Sequence, residues 1–165
     1  MVSKQNIGNA GEYYVASILS ARDFVATLTL GRAERYDLLA VNPKGKTMKI
    51  SVKTRYDSNV ESFPLSIKDE KGGSDDMFYA FVKLNDSKKE PDYWIIPSKR
   101  VNELLSNSSK IYFSSKKKNG GDRKDAGIRN LWLTPRNAVV SMYPANWTSE
   151  LNGYYKNTTP LENLV

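Results

Sequence analysis

The chain has 165 residues, a length that suits one domain with a sizeable buried core. Its 25 lysines and arginines outnumber its 18 acidic residues, and the net charge of +7 favours a polyanionic partner, nucleic acid before an anionic membrane surface. The absence of cysteine and histidine excludes disulfides, thiolate or imidazole metal sites and Ser-His-Asp catalysis. Any catalysis must therefore use carboxylates, lysines, tyrosines, hydroxyls or a hard cation held by oxygen.

No apolar run approaches the ~20 residues that a membrane-spanning helix needs. The first six residues lack the apolar region of an export signal. Together with the absence of cysteine, these features predict a cytoplasmic protein that does not enter a membrane. A basic peripheral membrane protein is disfavoured because no segment combines a cationic face with a wide apolar face.

The first half of the chain predicts a helix and three strands. Val15, Ile18 and Leu19 have helical spacing, and β-rich segments follow them. A turn over 43–46 joins the second strand to the third. The predicted elements are a helix over 8–22 and strands over 24–30, 36–42 and 47–55.

The second half predicts shorter elements around one apolar strand. Residues 77–84 are apolar on both faces, as in a strand inside a sheet. A polar loop over 68–76 carries acids that could bind a cation, although a solvated loop is the favoured interpretation. Residues 114–130 are the most basic segment and predict an exposed loop, whereas the tail from 144 has no clear pattern. The other predicted elements are strands over 63–67, 92–96 and 111–113 and helices over 99–105 and 134–142.

One predicted strand carries an unusually polar face. Over 48–55, apolar side chains alternate with cationic and hydroxyl side chains, which is the period of a half-buried strand. Asp37 begins the preceding strand, so an acid and a lysine lie on consecutive predicted strands. Glu12 adds a carboxylate at the edge of the apolar helix face, where it needs a cation, a metal or water. The apolar residues of the strand are Met48, Ile50 and Val52, and the polar ones are Lys49, Ser51, Lys53 and Arg55.

Each of these residues also has a structural interpretation. Glu12 in the first turn of a helix is favoured by the helix dipole. Lys53 and Asp37 would form a cross-strand salt bridge that contributes little to stability. Lys49 and Arg55 would be edge charges that deter aggregation.

The order of helix, strand, strand, turn and strand, with these residues in place, resembles the PD-(D/E)xK nuclease superfamily, which has the restriction-endonuclease-like fold. The resemblance covers about residues 5–97. It implies an α/β (α+β) core with a central mixed β-sheet flanked by helices. The implied organisation is a single nuclease-like domain over 1–165, with a core at about 5–106, a basic loop at 114–130 and a C-terminal tail at 144–165. The matching segments are Gly11-Glu12, Tyr36-Asp37-Leu38-Leu39-Ala40-Val41, Gly45-Lys46 and Ser51-Val52-Lys53-Thr54.

The same resemblance implies metal-dependent hydrolysis of DNA. Asp37 would be the main Mg²⁺ or Mn²⁺ ligand, with Glu12 as a second ligand or water holder and the Val52 carbonyl as a further oxygen. Lys53 would be the catalytic cation. Mg²⁺ suits this chemistry because it neutralises charge on the reacting phosphate and activates water at neutral pH. The implied partner is DNA, duplex or branched, and a homodimer is one expectation because cutting two strands favours two active sites.

Ser51 departs from the family pattern, which usually has Glu, Asp or Gln at this position. A serine hydroxyl is a neutral, weak ligand that would reach a metal only through water, but it stays among the candidate catalytic residues. Two functions are therefore open: an endonuclease, or a catalytically inactive nuclease-fold module that binds nucleic acid or a protein partner. The candidate nucleic-acid contacts are Arg32, Arg35, Arg55, Lys116, Lys117, Lys118, Arg123 and Lys124.

Overall fold

The computed structural model describes residues 2–29, 36–56, 62–85, 89–135 and 140–164. Within these ranges no helix is both long and apolar enough to cross a membrane. The helical segments are α1 (Lys4–Ser20), α2 (Ile67–Glu70), α3 (Ser98–Ser114), α4 (Trp147–Asn152), α5 (Thr159–Glu162) and a 3₁₀ turn (Val140–Met142). The strands are β1 (Val25–Leu28), β2 (Leu38–Val41), β3 (Thr47–Tyr56), β4 (Ser62–Ser66), β5 (Met77–Leu84), β6 (Asp92–Pro97) and β7 (Ile128–Trp132).

A five-stranded mixed sheet forms the centre of the fold. Its strand order is β1-β2-β3-β5-β6, in which β3 and β5 are parallel and the other neighbours are antiparallel. β4 and β7 pair antiparallel as a separate two-stranded sheet. A parallel pair of strands requires a crossover connection. The crossover from β3 to β5 contains β4 and α2. The predicted class, a central mixed sheet flanked by helices, is therefore confirmed.

The alternation of side chains along β5 divides the core into two layers. Phe78 and Val82 pack in an apolar cluster with residues of α1, whereas Tyr79 and Phe81 pack in a second cluster with residues of α3. Because both faces are covered, every residue over 77–82 is buried. This double burial explains the continuous apolar run and confirms that β5 is an internal strand.

β3 buries one face and leaves the other polar. Ile50 and Val52 pack in the cluster of α1, while Ser51 and Lys53 point to the opposite side of the sheet, because successive side chains alternate along a strand. β2 pairs with β3 only as far as Ile50. Beyond Ile50, β3 continues without β2 beside it. We call this place, between the start of β2 and residues 51–53, the β2–β3 opening.

The predicted strand over 111–113 is wrong, because these residues belong to α3. The helix buries Val101, Leu104, Leu105 and Ser108 at helical spacing, so it extends well beyond the predicted 99–105. Tertiary packing of this face overrides the local β-preference of the aromatic residues near its end. The predicted helix over 134–142 falls partly on 136–139, which lie outside the described residues, and its end is a 3₁₀ turn.

The basic segment is also not exposed throughout. Residues 128–132 form β7, and the Arg129 side chain is only 6% exposed because its guanidinium pairs with Glu70 and Asp125. Residues 68–70 lie in α2 rather than in a loop. These differences share a cause, since an ion pair between distant segments can bury charges that the local sequence marks as solvated.

The C-terminal tail contributes to the core. Leu151 of α4 and Leu161 of α5 are fully buried. The side-chain amide of Asn42 donates hydrogen bonds to the carbonyls of Leu161 and Leu164, at 3.1 and 3.0 Å. The tail is therefore tied to the turn between β2 and β3.

α1 approaches β3 very closely at Gly11. A Cβ placed on Gly11 would lie 1.9 Å from Oγ1 of Thr54 and 2.8 Å from its Cβ and Cγ2. Only a residue without a side chain permits this distance between helix and strand. The close approach also brings the following residue, Glu12, toward the polar side chains of β3.

Replacing Gly11 with alanine should lower the free energy of unfolding by about 1–3 kcal/mol, the usual cost of overpacking. Gly8 is a matched control, because it lies in the same helix and a Cβ there would meet nothing within 4 Å. Gly8→Ala should raise stability by about 0.5–1 kcal/mol through better helix propensity. Urea unfolding of both variants measures the difference, and equal stabilisation by the two substitutions would contradict the close packing.

Candidate functional site

Asp37 closes the β2–β3 opening with its side chain. Its backbone N–H donates to the Ile50 carbonyl at 2.9 Å, which ends the ladder between the two strands. Its carboxylate then takes the place of the next ladder partner, since Oδ2 accepts the Val52 N–H at 2.6 Å. A backbone N–H bonded to a carboxylate is a charge-assisted contact, stronger than a neutral hydrogen bond. Asp37 is thereby fixed relative to β3.

The Val52 carbonyl faces the same opening. Backbone groups of alternate residues in a strand point to the same neighbour, and the Ile50 carbonyl points to β2. The Val52 N–H points to the same side of β3, where it meets Asp37. The carbonyl of Val52 points to that side as well. Among the hydrogen bonds of the described residues, none uses Oδ1 of Asp37. This oxygen and the carbonyl are two oxygen donors at one place.

Lys53 faces a pocket of about 240 Å³ on the side of the sheet that carries β4 and α2. Within the described part of the chain, the Lys53 ammonium group forms neither a hydrogen bond nor an ion pair. A cation of this kind is available to a ligand. The pocket is lined by Tyr36, Asp37, Ser51, Lys53, Ser66, Lys68, Asp69, Gly72, Met77 and Tyr79.

Glu12 reaches the same group of charges from α1. The pKa of its carboxyl is raised above the ordinary value of 4.5, first by burial and then by the negative charge of Asp37, while the positive charge of Lys53 lowers it. The charges of both Asp37 and Lys53 therefore act on the Glu12 carboxyl. The repulsion between these two carboxylates is a feature that a bound cation would relieve.

Comparison with solved structures identifies the fold. The chain is similar to a bacterial homing endonuclease, I-Ssp6803I, with a TM-score of 0.51 and 13% sequence identity over 98% of this chain and 93% of that protein. It is also similar to Hjc, a Holliday junction resolvase from the archaeal hyperthermophile Archaeoglobus fulgidus, with a TM-score of 0.44 and 13% identity over 84% of this chain and 88% of that one. The chain has the restriction-endonuclease-like fold. No protein-family model and no curated protein matches the sequence.

The sequence-predicted resemblance is thus confirmed for the restriction-endonuclease-like fold. The structure brings Asp37, Ser51, Val52 and Lys53 together at the β2–β3 opening and places Glu12 within electrostatic reach of them. The catalytic and metal-binding roles of these residues stay predictions.

Ser51 supports Asp37 at the β2–β3 opening. Its side chain is buried, and its hydroxyl donates to Oδ2 of Asp37 at 3.3 Å. The same Oδ2 accepts the Val52 N–H, so the serine helps to orient the aspartate. The contact differs from the ligand role that the family gives to an acid at this position.

The donor set fits one hard cation with few protein ligands. Among the described residues, no group of three or more acidic side chains could hold a metal ion by itself. Mg²⁺ does not need such a group, because it is commonly bound by one or two carboxylates and keeps several waters. Asp37 and Glu12 would supply the two carboxylates, and the Val52 carbonyl would supply a neutral oxygen.

Asp69 is a pocket residue that sequence reasoning placed in a solvated loop. It is the third residue of α2, where it forms a capping box with Ser66. The spacing of a serine and an acid three residues later is the local signal for such a cap. Nothing in the local sequence indicates that this acid lies across a pocket from Lys53.

The predicted nucleic-acid contacts have different surroundings. Arg32 and Arg35 lie outside the described residues. Arg55 donates to the Ser62 carbonyl at 2.9 Å and so holds the start of β4. The remaining cations belong to the segment after α3, where Lys117, Lys118 and Lys124 are exposed.

This segment is locally folded. Lys116 pairs with Asp122, and Arg123 lies over the Tyr112 ring, 4.2 Å from its centroid. The Lys117 N–H donates to the Gly121 carbonyl at 2.9 Å, which closes a tight turn. Exposed lysines on a folded turn are suited to contact a phosphate backbone.

The raised pKa of Glu12 has a consequence for stability. Without a divalent cation, the free energy of unfolding should fall as the pH rises from about 4.5 through the raised pKa, because the folded state binds the proton more tightly than the unfolded state. Glu12→Gln should remove this fall. Urea unfolding between pH 4 and 7 in EDTA measures it.

Glu103 is the matched control, since it lies on α3 and pairs with Arg100 at the surface. Glu103→Gln should keep the pH dependence of the wild-type chain. A Glu12→Gln variant that follows the wild-type curve would contradict the raised pKa of Glu12, to which burial and then the charge of Asp37 contribute.

Proposed function

We propose that this chain is a metal-dependent endonuclease that hydrolyses phosphodiester bonds in DNA. The observation that carries the proposal is the arrangement at the β2–β3 opening. Asp37 is fixed by the Val52 N–H, keeps one oxygen free of bonds to described residues, and lies with Lys53 at one pocket. The fold of a homing endonuclease supports the assignment, although that protein is only 13% identical.

The residues divide into those that would hold a cation and those that would act on the phosphate. Asp37, Glu12 and the Val52 carbonyl would hold Mg²⁺ or Mn²⁺. When bound, such an ion neutralises charge on the phosphate and lowers the pKa of a coordinated water. Ser51 acts on Asp37 rather than on the ion, because its hydroxyl donates to Oδ2.

Lys53 would donate hydrogen bonds to the attacking water or to a phosphate oxygen. In hydrolysis, a bond forms between the water oxygen and phosphorus while a bond between phosphorus and a sugar oxygen breaks, and negative charge builds up on the phosphate oxygens. A preorganised ammonium group stabilises that charge most where water is largely excluded. Lys53 lines the pocket beside Asp37, from which its ammonium group would reach the phosphate.

The bound DNA, duplex or branched, would lie against the polar side of β3 and the basic segment after α3. Lys117, Lys118 and Lys124 are exposed there and would contact phosphates. Arg123 is held by Ser115, by the Lys116 carbonyl and by the Tyr112 ring, and it would contribute positive charge from a fixed place. A homodimer would bring two such sites to the two strands.

A second candidate is a nuclease-fold module that binds nucleic acid or a protein partner without cutting. Ser51 favours it, because the position that usually carries an acid or glutamine holds a hydroxyl that is bonded to Asp37. The two candidates differ in whether a divalent cation binds and whether DNA is cut.

Cleavage of supercoiled and branched DNA in Mg²⁺ or Mn²⁺ separates them. The wild-type chain should cut, and Asp37→Asn and Lys53→Met should each lower the rate by about 10²–10³-fold, the usual effect of removing one preorganised charge. Mg²⁺ should also raise the unfolding temperature of the wild-type chain, because a ligand that binds only the folded state stabilises it, and Asp37→Asn should lose that shift.

Lys44→Ala is the matched control for Lys53→Met, because Lys44 is exposed in the turn between β2 and β3. It should leave cleavage within about twofold of the wild-type rate. Binding without cutting of any substrate, and without a metal-induced shift, would reject the enzyme in favour of the binding module.

The basic segment is tested by the salt dependence of DNA binding. Lys117→Ala/Lys118→Ala should reduce the slope of log affinity against log salt by about 0.7–0.9 for each phosphate that the protein no longer neutralises. Lys116 should contribute less, since Asp122 already pairs with it. Binding is measured by fluorescence anisotropy in EDTA, where cutting does not interfere.

The matched control is Lys44→Ala/Lys46→Ala, which removes the same charge from the exposed turn between β2 and β3. This pair should leave the slope unchanged. An equal decrease of the slope in both double variants would mean that net charge, rather than the segment after α3, governs binding.

A further inference from the structure

Polar contacts tie α2 to α3 and β7. It has four residues, and none of them is buried. Glu70 pairs with Arg129 and accepts a hydrogen bond from the Ser109 hydroxyl at 2.8 Å. The Asn102 side chain donates to the Asp69 carbonyl. Because such bonds are directional, they fix the side chains of α2 relative to α3 and β7.

The Asp69 carboxylate is oriented just as closely. Its Oδ2 accepts the N–H and the hydroxyl of Ser66, at 2.7 and 2.8 Å. Its Oδ1 accepts the Tyr79 hydroxyl at 2.9 Å. A carboxylate has about four acceptor positions, and these bonds use three. One position on Oδ1 is left for another donor.

Lys53 and Asp69 influence one another across the pocket. Burial raises the pKa of Asp69, but hydrogen bonds from Ser66, the positive charge of Lys53 and the Tyr79 hydroxyl together lower it. Tyr79 lies on β5 directly opposite Ser51, in the register that pairs β3 with β5. The hydroxyl that orients Asp69 therefore comes from the strand beside the motif.

The strand motif itself leaves Lys53 without its usual acidic neighbour. Ser51 stands two residues before Lys53, and its hydroxyl donates to Asp37. It adds no negative charge to attract the ammonium group. Asp69 supplies a negative charge at the same pocket from a different element.

We propose that Asp69 is a positioning residue, whose negative charge attracts the Lys53 ammonium group toward its side of the pocket, where Ser51 supplies no charge. Its importance for catalysis rests on the proposed nuclease function. The proposed electrostatic attraction between Asp69 and Lys53 across the pocket belongs to the folded chain and can be measured without any cleavage.

A double-mutant cycle in urea unfolding tests the attraction between Asp69 and Lys53. Lys53→Met and Asp69→Asn are compared singly and together, in EDTA. We expect the effect of Lys53→Met on the unfolding equilibrium constant to differ by more than about twofold between the two backgrounds, since opposite charges that act on one another across one pocket couple. An effect that is the same within about twofold would overturn the proposal.

Ser66→Ala is the matched control for the helix cap. It removes a hydrogen bond to Asp69 and weakens the same cap, but it leaves the charge of Asp69 in the pocket. Ser66→Ala and Lys53→Met should have additive effects on unfolding. If Ser66→Ala couples to Lys53→Met as strongly as Asp69→Asn does, loosening of α2 explains the effect and the positioning role is rejected.

Cleavage kinetics then test the catalytic consequence. Asp69→Asn should lower kcat by about 10- to 100-fold, the cost of a misplaced catalytic group, and leave KM within about twofold. In the Lys53→Met background it should have no further effect, because it acts through Lys53. A full additional decrease there would overturn the proposal. If the wild-type chain cuts no DNA, the nuclease assignment fails, while the unfolding cycle still decides whether Asp69 attracts Lys53.

Discussion

The hydrogen bond from the Val52 N–H to the Asp37 carboxylate, 2.6 Å long, holds the candidate site together. It forms where the β2–β3 ladder ends, so a side chain replaces a backbone partner. A bond of this charge-assisted kind contributes about 1.5–3 kcal/mol. It fixes Asp37 beside Val52, whose backbone carbonyl faces the β2–β3 opening, and beside Lys53, which carries an ammonium group.

The site combines features that oppose stability. Glu12 and Asp37 are two carboxylates whose repulsion, together with burial, raises the pKa of Glu12. Gly11 permits the close contact of α1 with Thr54 that brings Glu12 there, although glycine lowers helix stability. Such arrangements are typical of functional sites, where charges are held near one another for a ligand rather than for the fold.

Local patterns in the sequence predicted the elements that build the site. The alternation of Ile50, Ser51 and Val52 predicted a half-buried β3, and the apolar run of β5 predicted an internal strand. Each prediction follows from the number of strand faces that are buried, which is one for β3 and two for β5. The same kind of reasoning failed for α3, because its end carries aromatic residues that locally favour a strand. It also failed for Arg129, because the partners that bury its charge lie in α2 and in the preceding loop.

By itself the sequence determined the order and the buried faces of the main elements, and through its resemblance to a known nuclease family it predicted the restriction-endonuclease-like fold and the candidate residues Glu12, Asp37, Ser51 and Lys53. Only the tertiary structure decided that Ser51 donates to Asp37, that the C-terminal tail packs into the core, and that Asp69 faces the pocket of Lys53. These contacts join segments far apart in the chain. Their geometry depends on how the sheet and helices pack, which no local pattern specifies.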